Sequence, residues 1–446
     1  MTTTTQSSYL APPVRFLDKL KYLGPGFILS ASIVGSGELI ATTALGAKAG
    51  FITFWVILVS CLVKVTIQLE FGKHAIYSGE TVMEAFNKLP GPRFGKANWS
   101  IWTWLSLMLP KFLQVAGIVG GVILALQIAF EGLPLWVWGV IVPVSVSLLI
   151  YRGQYVFIEK FSLTLIGLFS LMTLICVIAL QFTPYAFSWG DVASGLTFQL
   201  PATAIVFAIG AFGITGVGGD EIMFYNYWCL EKGYAKHVGP REETDEWYQR
   251  AKGWIKVMTL DAILAMVVYT VVTAAFYLLG SAVLHGTENI PEGSQVIETL
   301  STMYTETLGP WAKVVFLVGA VVVLYSTLFG ALASWIRIFA DAFYKVGWVD
   351  LSTPKGYRQV LAWMAWIIPA IWTILYVFIQ LPVFMVMIGG VATSIILFLV
   401  VYVAIHLRYQ RLPKELTPTR RYDLFFWLSA VSIVLVGVYG ISKLLI

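Results

Sequence analysis

Apolar residues run along this chain in long blocks rather than in strict alternation. Eleven blocks approach or exceed the roughly 20 residues that a helix needs to cross a bilayer. They span 24–48, 51–77, 100–130, 134–151, 160–182, 198–230, 254–284, 309–345, 359–379, 382–407 and 422–445, and are called segments one to eleven below. The polar stretches between them are mostly short. The charged stretch 231–252 is long enough for a short surface helix, and 285–308 reads as a loop.

Two blocks break their own pattern. Segment one contains V-G-S-G-E-L-I at 34–40, and segment six contains V-G-G-D-E-I-M at 217–223. Each is a glycine cluster that ends in a carboxylate. If segments one to five and six to ten are inverted repeats, the two clusters occupy equivalent positions. Glycine adopts backbone conformations that other residues avoid. A broken helix at membrane depth is tolerated where it lines a cavity, and transporters use such breaks to bind substrate. The competing reading makes Gly35, Gly37, Gly218 and Gly219 close helix-packing contacts. Two clusters, each with an acid, at the first segment of each half favour the break.

Composition agrees with the blocks. The chain is 58% hydrophobic and 12% charged, with a mean hydropathy of +0.81, against about 25% charged residues in soluble domains. This predicts a multi-pass protein of the cell membrane. With the N-terminus inside, 24 of the 29 Lys and Arg residues fall on the cytoplasmic side. The 285–308 loop carries Glu288, Glu292, Glu298 and Glu306 and no basic residue. The bias predicts a cytoplasmic N-terminus and an extracytoplasmic C-terminus. The net charge of +5 lies in loops between apolar blocks and points to no nucleic acid. Cys61, Cys176 and Cys229 show no metal-ligand spacing, the start has no cleavable signal pattern, and no nucleotide loop or hydrolase motif is present. The expectation is not an enzyme and no cofactor. The expected partners are a transported ion or small solute and membrane lipid, with a monomer as the fold's default state.

The chemistry near the clusters is all oxygen: Glu38, Asp220, Glu221, Ser36 and Thr215. No thiolate is nearby, His74, His237, His285 and His406 sit near segment ends, and Met223 is the one neighbouring thioether. Hard oxygen sets suit Mg²⁺, Ca²⁺ or Mn²⁺. A carboxylate inside a membrane segment is a functional candidate, so Glu38, Asp220 and Glu221 are the candidate metal ligands. Glu38 could instead only neutralise Lys64 or Lys111. Lys111 opposes a cation unless a carboxylate neutralises it or it is deprotonated. Exposed N–H groups at 35–37 could also receive an anion, as helix N-termini do.

Several motifs resemble the NRAMP family of divalent metal transporters, which have the LeuT-type fold. Gly24-Pro25-Gly26-Phe27 matches the family's GPGF, Trp55 to Glu70 is similar to its second helix, and Gly79-Glu80-Thr81 to the turn that follows. Tyr325-Ser326-Thr327-Leu328-Phe329-Gly330 resembles its Ser/Thr-rich eighth helix. The resemblance implies an all-α membrane protein with a 5+5 inverted repeat plus one extra helix, eleven in all. It divides the chain into a tail 1–23, a first repeat 24–182, a second repeat 198–407 and a last helix 422–445. It also marks departures. The family's helix-one D-P-G-N is Gly35-Ser36-Gly37-Glu38 here. Its helix-six alanine and methionine match Ala211 and Ile214, and a helix-six histidine linked to proton movement matches Glu221. Its acidic pair in helix three is replaced by Lys111 and Gln114. The implied substrate-binding set is therefore Gly35, Ser36, Gly37, Glu38, Ala211, Ile214, Thr215, Asp220 and Glu221. Lys64, Lys111, Gln114 and Tyr325 are candidates for coupling or gating. The expected function is alternating-access transport of a hard divalent cation, Mg²⁺ or Mn²⁺, without strict proton coupling. The alternatives are a transporter of a small anion or amino acid and, more remotely, a non-transporting scaffold or receptor.

Overall fold

The computed structural model describes residues 9–33, 35–130, 132–151, 155–287 and 293–444. Among them the regular structure is helical apart from a minimal hairpin that pairs Arg93–Phe94 with Ala97–Asn98. The principal helices are α1 (Pro25–Ile33), α2 (Thr43–Ala49), α3 (Phe54–Ser78), α4 (Trp99–Met108), α5 (Lys111–Ala129), α6 (Leu135–Tyr151) and α7 (Tyr155–Ala179). The second half contributes α8 (Ile205–Ile214), α9 (Gly219–Glu231), α10 (Asp245–Leu279), α11 (Val296–Leu308), α12 (Ala312–Val346), α13 (Pro354–Ile379), α14 (Pro382–His406) and α15 (Arg420–Leu444). Each apolar block coincides with helix, and segments one, three and six come in two pieces. Among the described residues eight helical stretches are long and apolar enough to cross a membrane, with two shorter apolar ones beside them. This is a multi-pass membrane protein.

Local chemistry sets the ends. Thr244 accepts from the Trp247 amide to start α10, and Thr353 accepts from Gly356 with Pro354 at the first position of α13. These caps satisfy amides that have no partner within the helix. Pro110 separates α4 from α5 because it cannot donate into a continuous helix. The stretch 231–252 yields one short helix, Tyr234–Val238, before α10 begins. The stretch 285–308, read as a loop, instead contains α11. Val296, Ile297, Leu300, Met303 and Tyr304 of α11 are buried. That i, i+1, i+4, i+7, i+8 spacing gives one apolar stripe, too short to register as a membrane-spanning block.

Helix packing centres the two interrupted segments. α3 packs on α10 and α9, α14 packs on α5 and α8, and α12 packs on α5 and α1. The GPGF motif shows why α1 sits where it does. Asp261 of α10 accepts from the Gly24 amide at 2.8 Å and the Gly26 amide at 2.5 Å. Pro25 between them has no amide to satisfy. A Cβ on Gly26 would stand 2.8 Å from the Asp261 carboxylate and 2.9 Å from its carbonyl. Glycine is required for α1 to close on α10. The Lys232 ammonium donates to the Leu23 carbonyl and the Tyr234 hydroxyl to that of Tyr22, fixing the approach to α1.

The basic face of the bundle is cross-linked. Glu80, just past α3, pairs with Lys88 at 2.6 Å, Arg411 at 2.9 Å and His74 at 3.5 Å. Asp341 of α12 accepts from Thr81 and from Tyr227 of α9, and Arg337 of α12 pairs with Glu231. Contact with His74, aided by Lys88 and Arg411, holds the Glu80 carboxyl down at about 2.

Two outcomes follow. Asp261→Ala should destabilise the protein by about 3 kcal/mol, since two charge-assisted bonds to backbone amides are lost; limited proteolysis should then cut first around residues 15–27. For Glu80 the folded pKa lies below the unfolded value of 4.5. Its contribution is therefore complete above pH 4.5 and disappears as pH falls from there toward 2. Glu80→Gln should lower the melting temperature by about 2 °C at pH 7. The gap between the two melting temperatures should narrow as pH falls below 4.5 and close only near pH 2.

Candidate functional site

In segment one, α1 ends at Ile33. Gly35 takes φ −144° and ψ −108°, and the chain resumes as a wide π-turn, Ser36–Thr42, that runs into α2. The wide turn is secured from above. The Thr42 hydroxyl donates to the Gly37 carbonyl at 2.7 Å and the Thr43 hydroxyl to the Glu38 carbonyl at 3.3 Å. Both bonds reach back five residues, the π spacing. In segment six, α8 ends at Ile214, Thr215 is extended, Gly216 takes φ +66°, and α9 begins at Gly219. A Cβ on Gly37 would lie 3.0 Å from the Ile214 carbonyl, so the two breaks touch.

The carbonyls freed at the end of α8 are held by α3. The Lys64 ammonium donates to Phe212 at 2.5 Å, Gly213 at 3.3 Å and Thr215 at 2.9 Å, and the Ser60 hydroxyl bonds Phe212 and Thr215. A cation at a helix C-terminus is favoured by the carbonyl dipoles. Lys64 thus binds backbone, and no carboxylate pairs with it within salt-bridge distance among the described residues.

The start of α9 holds the acids. Asp220 lies 3.0 Å from the Lys111 ammonium, which also donates to Gln114 at 2.6 Å and Thr393 at 2.8 Å. The Glu221 carboxylate folds back over the helix N-terminus, where a Cβ on Gly218 would meet Oε2 at 2.0 Å. Gly218 makes room for it, and the N-terminal dipole favours its charge.

Between these groups lies a cavity of about 20 Å³, room for about one water or one small ion. Gly37, Ile214, Asp220 and Glu221 line it from the two breaks, Lys111 and Gln114 from α5, and Thr327, Ala331 and Trp335 from α12. Oxygen atoms Asp220 Oδ1 and Glu221 Oε2 are buried and accept no hydrogen bond, and the nearby Thr215 Oγ1 makes none. For Asp220 the unmet hydrogen bond coexists with the Lys111 ion pair: the ammonium stands 3.0 Å away but out of hydrogen-bonding alignment with this oxygen.

The remaining candidates lie elsewhere. Glu38 is fully buried; its Oε1 accepts from Thr273 of α10 at 3.0 Å, its Oε2 has no hydrogen bond, and it does not line the cavity. Ala211 is buried within α8 and accepts from the Thr215 amide. The Tyr325 hydroxyl bonds Ser145 of α6, away from the cavity. Gly35 is buried against α12, where a Cβ would fall 1.7 Å from Thr327 Oγ1. The Ser36 side chain lies outside the described residues. Among those residues no group of three or more His, Cys, Asp or Glu has metal-holding geometry. The expected triad is thus split, with Asp220 and Glu221 in the cavity and Glu38 against α10.

Residue-type reasoning missed Thr327, Ser60 and Asp261. Thr327 belongs to the Ser/Thr-rich run noted in segment eight, and Asp261 is an acid inside an apolar block. Either signal could have flagged its residue. Ser60 is a small hydroxyl with no distinguishing context.

Comparison with known proteins adds to this geometry. The chain is 26% identical over 370 residues to a divalent metal cation transporter, MntH, of Brucella suis, covering 81% of this chain and 75% of that one. Its fold matches the manganese transporter of Eremococcus coleocola with a TM-score of 0.72 at 15% identity, over 99% of this chain and 91% of that one. It also matches MhsT, solved with L-phenylalanine, with a TM-score of 0.60 at 14% identity, over 93% and 98%. The broken first helix of each half belongs to a LeuT-type inverted repeat. The family model described as natural resistance-associated macrophage protein-like matches residues 26–443, and the chain belongs to that family.

Proposed function

We propose that this protein carries a hard divalent cation, Mg²⁺ or Mn²⁺, across the cell membrane by alternating access, without strict proton coupling. The observation that carries the reading is the small cavity at the double break, whose unmet polar atoms are carboxylate oxygens of Asp220 and Glu221. Mg²⁺ is usually held through one or two carboxylates. Relatives named as divalent metal cation transporters support the same class of cargo. Ile214 lines the cavity with carbon only, so no thioether favours a soft transition metal. Lys111 and Gln114 stand on α5 where the family resemblance implies an acidic proton route. One chain lines the cavity, which supports a monomer as the working unit; the apolar blocks and the Lys/Arg bias support eleven crossings, a cytoplasmic N-terminus and an extracytoplasmic C-terminus.

Asp220 and Glu221 are the proposed primary ligands. Glu38 is proposed as a support of the break through Thr273. Gly35 leaves no carboxylate at the helix-one position, and Thr327 Oγ1 fills the space where a side chain would begin. A second reading, transport of a small anion or zwitterion, draws on one observation: the Lys111 ammonium and the N-terminus of α9 both face the cavity region.

In proteoliposomes, Asp220→Asn and Glu221→Gln should each cut Mn²⁺ and Mg²⁺ uptake more than about ten-fold, with one or two carboxylates as the usual anchors of such ions. Glu38→Gln should cost less than either. Uptake of a small carboxylate that survives Asp220→Asn, with no divalent flux in the wild type, would support the second reading instead. A further outcome concerns Gly35. Gly35→Ala should destabilise by about 1–3 kcal/mol through overpacking, and adding Thr327→Ala should recover part of that loss in thermal melts. Gly35→Asp alone should therefore fail to gain metal affinity.

A further inference from the structure

Lys111 is 1% exposed and stands at the first turn of α5, with its ammonium at the carboxylate end of the cavity. Three partners surround it: Asp220 of α9 at 3.0 Å, Gln114 of α5 at 2.6 Å and Thr393 of α14 at 2.8 Å. Only Asp220 carries charge, and it belongs to the broken segment. Gln114 and Thr393 are neutral and lie on the other two helices. An ammonium has three donors and no acceptor. It can give up Asp220 and keep the two neutral bonds. The Thr393 hydroxyl in turn donates to the Gly389 carbonyl at 2.8 Å, which leaves its oxygen oriented to accept.

The cavity, about 20 Å³, has room for about one small ion at the Asp220 carboxylate. A divalent ion bound to Asp220 and Lys111 paired to Asp220 are therefore competing arrangements. Two cations at one carboxylate repel strongly where water is excluded.

We propose that Lys111 is a tethered counter-cation: it neutralises Asp220 while the site is empty and withdraws to Gln114 and Thr393 when the transported ion arrives. The proposal rests on the divalent-cation reading above. Its consequence is kinetic. A carrier that reorients empty with an unpaired buried carboxylate faces a large penalty. With Lys111 in place, the empty site reorients as an ion pair, and net one-way transport proceeds without a counter-substrate. Without it, the protein binds the ion more tightly and returns mainly when loaded, as an exchanger. Lys111 thus sets the mode of transport as well as the affinity.

Lys111→Met tests this with Mn²⁺ as the probe ion. Three quantities are measured: binding to purified protein by calorimetry, net uptake into Mn²⁺-free vesicles, and exchange into Mn²⁺-loaded vesicles. Binding should tighten by about ten-fold or more, because an internal competitor is removed. The ratio of exchange to net uptake should rise by about ten-fold as empty return slows. If Lys111→Met fails to assemble, Lys111→Gln removes the charge while keeping a polar end toward Gln114 and Thr393, and it carries the same expectation. Unchanged or weaker Mn²⁺ binding, or exchange and net uptake falling in parallel, would overturn the proposal while leaving the divalent-cation reading intact. Wild-type protein that neither binds nor exchanges Mn²⁺ would remove that reading and this proposal with it.

Discussion

The Lys64 ammonium, fully buried among the carbonyls of Phe212, Gly213 and Thr215, is the contact on which the site depends. A helix broken inside a membrane releases carbonyls that no water reaches, and each unsatisfied group costs several kcal/mol. Burying an ammonium also costs several kcal/mol. Hydrogen bonds to a charged group contribute about 1.5–3 kcal/mol each, so three such bonds and the dipole of α8 offset a penalty of that size. Ser60 completes the satisfaction of Phe212 and Thr215 from one turn away on α3. With α8 terminated in this way, α9 can start afresh at Gly219 and point its N-terminus at the cavity.

Close contacts between glycines and polar groups come as matched pairs. Gly35 and Thr327 are one: the hydroxyl sits where a Cβ would be. Gly218 and Glu221 are another: the missing side chain admits the returning carboxylate. Gly26 and Asp261 repeat the arrangement on the basic face, with the glycine amide donating to the acid. In each pair a glycine in one helix gives a polar group close access, across the bundle in two cases and along the same helix in the third. The loss of the helix-one carboxylate is therefore structural as well as chemical, because its volume has been reassigned. On the proposed reading, the binding chemistry lies instead at the start of α9.

The segment pattern, the two breaks and the family were legible in the sequence because each rests on local composition: apolar length, glycine beside acid, and short motifs such as GPGF. The site was legible only in part. Asp220, Glu221, Lys111, Gln114 and Ile214 do meet around one cavity, yet Glu38, equally acidic and equally central in its segment, turns toward Thr273. Nothing in V-G-S-G-E-L-I states which face a residue takes in a π-turn. A widened turn shifts every later side chain relative to the 3.6-residue period, so the direction of Glu38 is decided by the break itself. α11 was hidden for a different reason. Its stripe is one-sided and mixed with Glu and Thr, so it falls below the apolar length that marks a membrane segment.

Two lysines inside apolar segments looked equivalent as letters and are opposites in place. Lys64 binds neutral carbonyls of a fixed helix end; its removal would leave those of Phe212 and Thr215 to Ser60 alone and that of Gly213 with no side-chain donor among the described residues. Lys111 binds one carboxylate and two neutral side chains, each on a different helix, and its removal would orphan a charge. Orphaned backbone weakens the fold in every state of the transport cycle. An orphaned charge weakens only states in which no ion replaces the lysine. The same residue type thus secures the scaffold at one end of the break and, on the proposal above, answers the cargo at the other. The difference lies in whether its partner is a dipole that is always present or a carboxylate that a passing ion can claim.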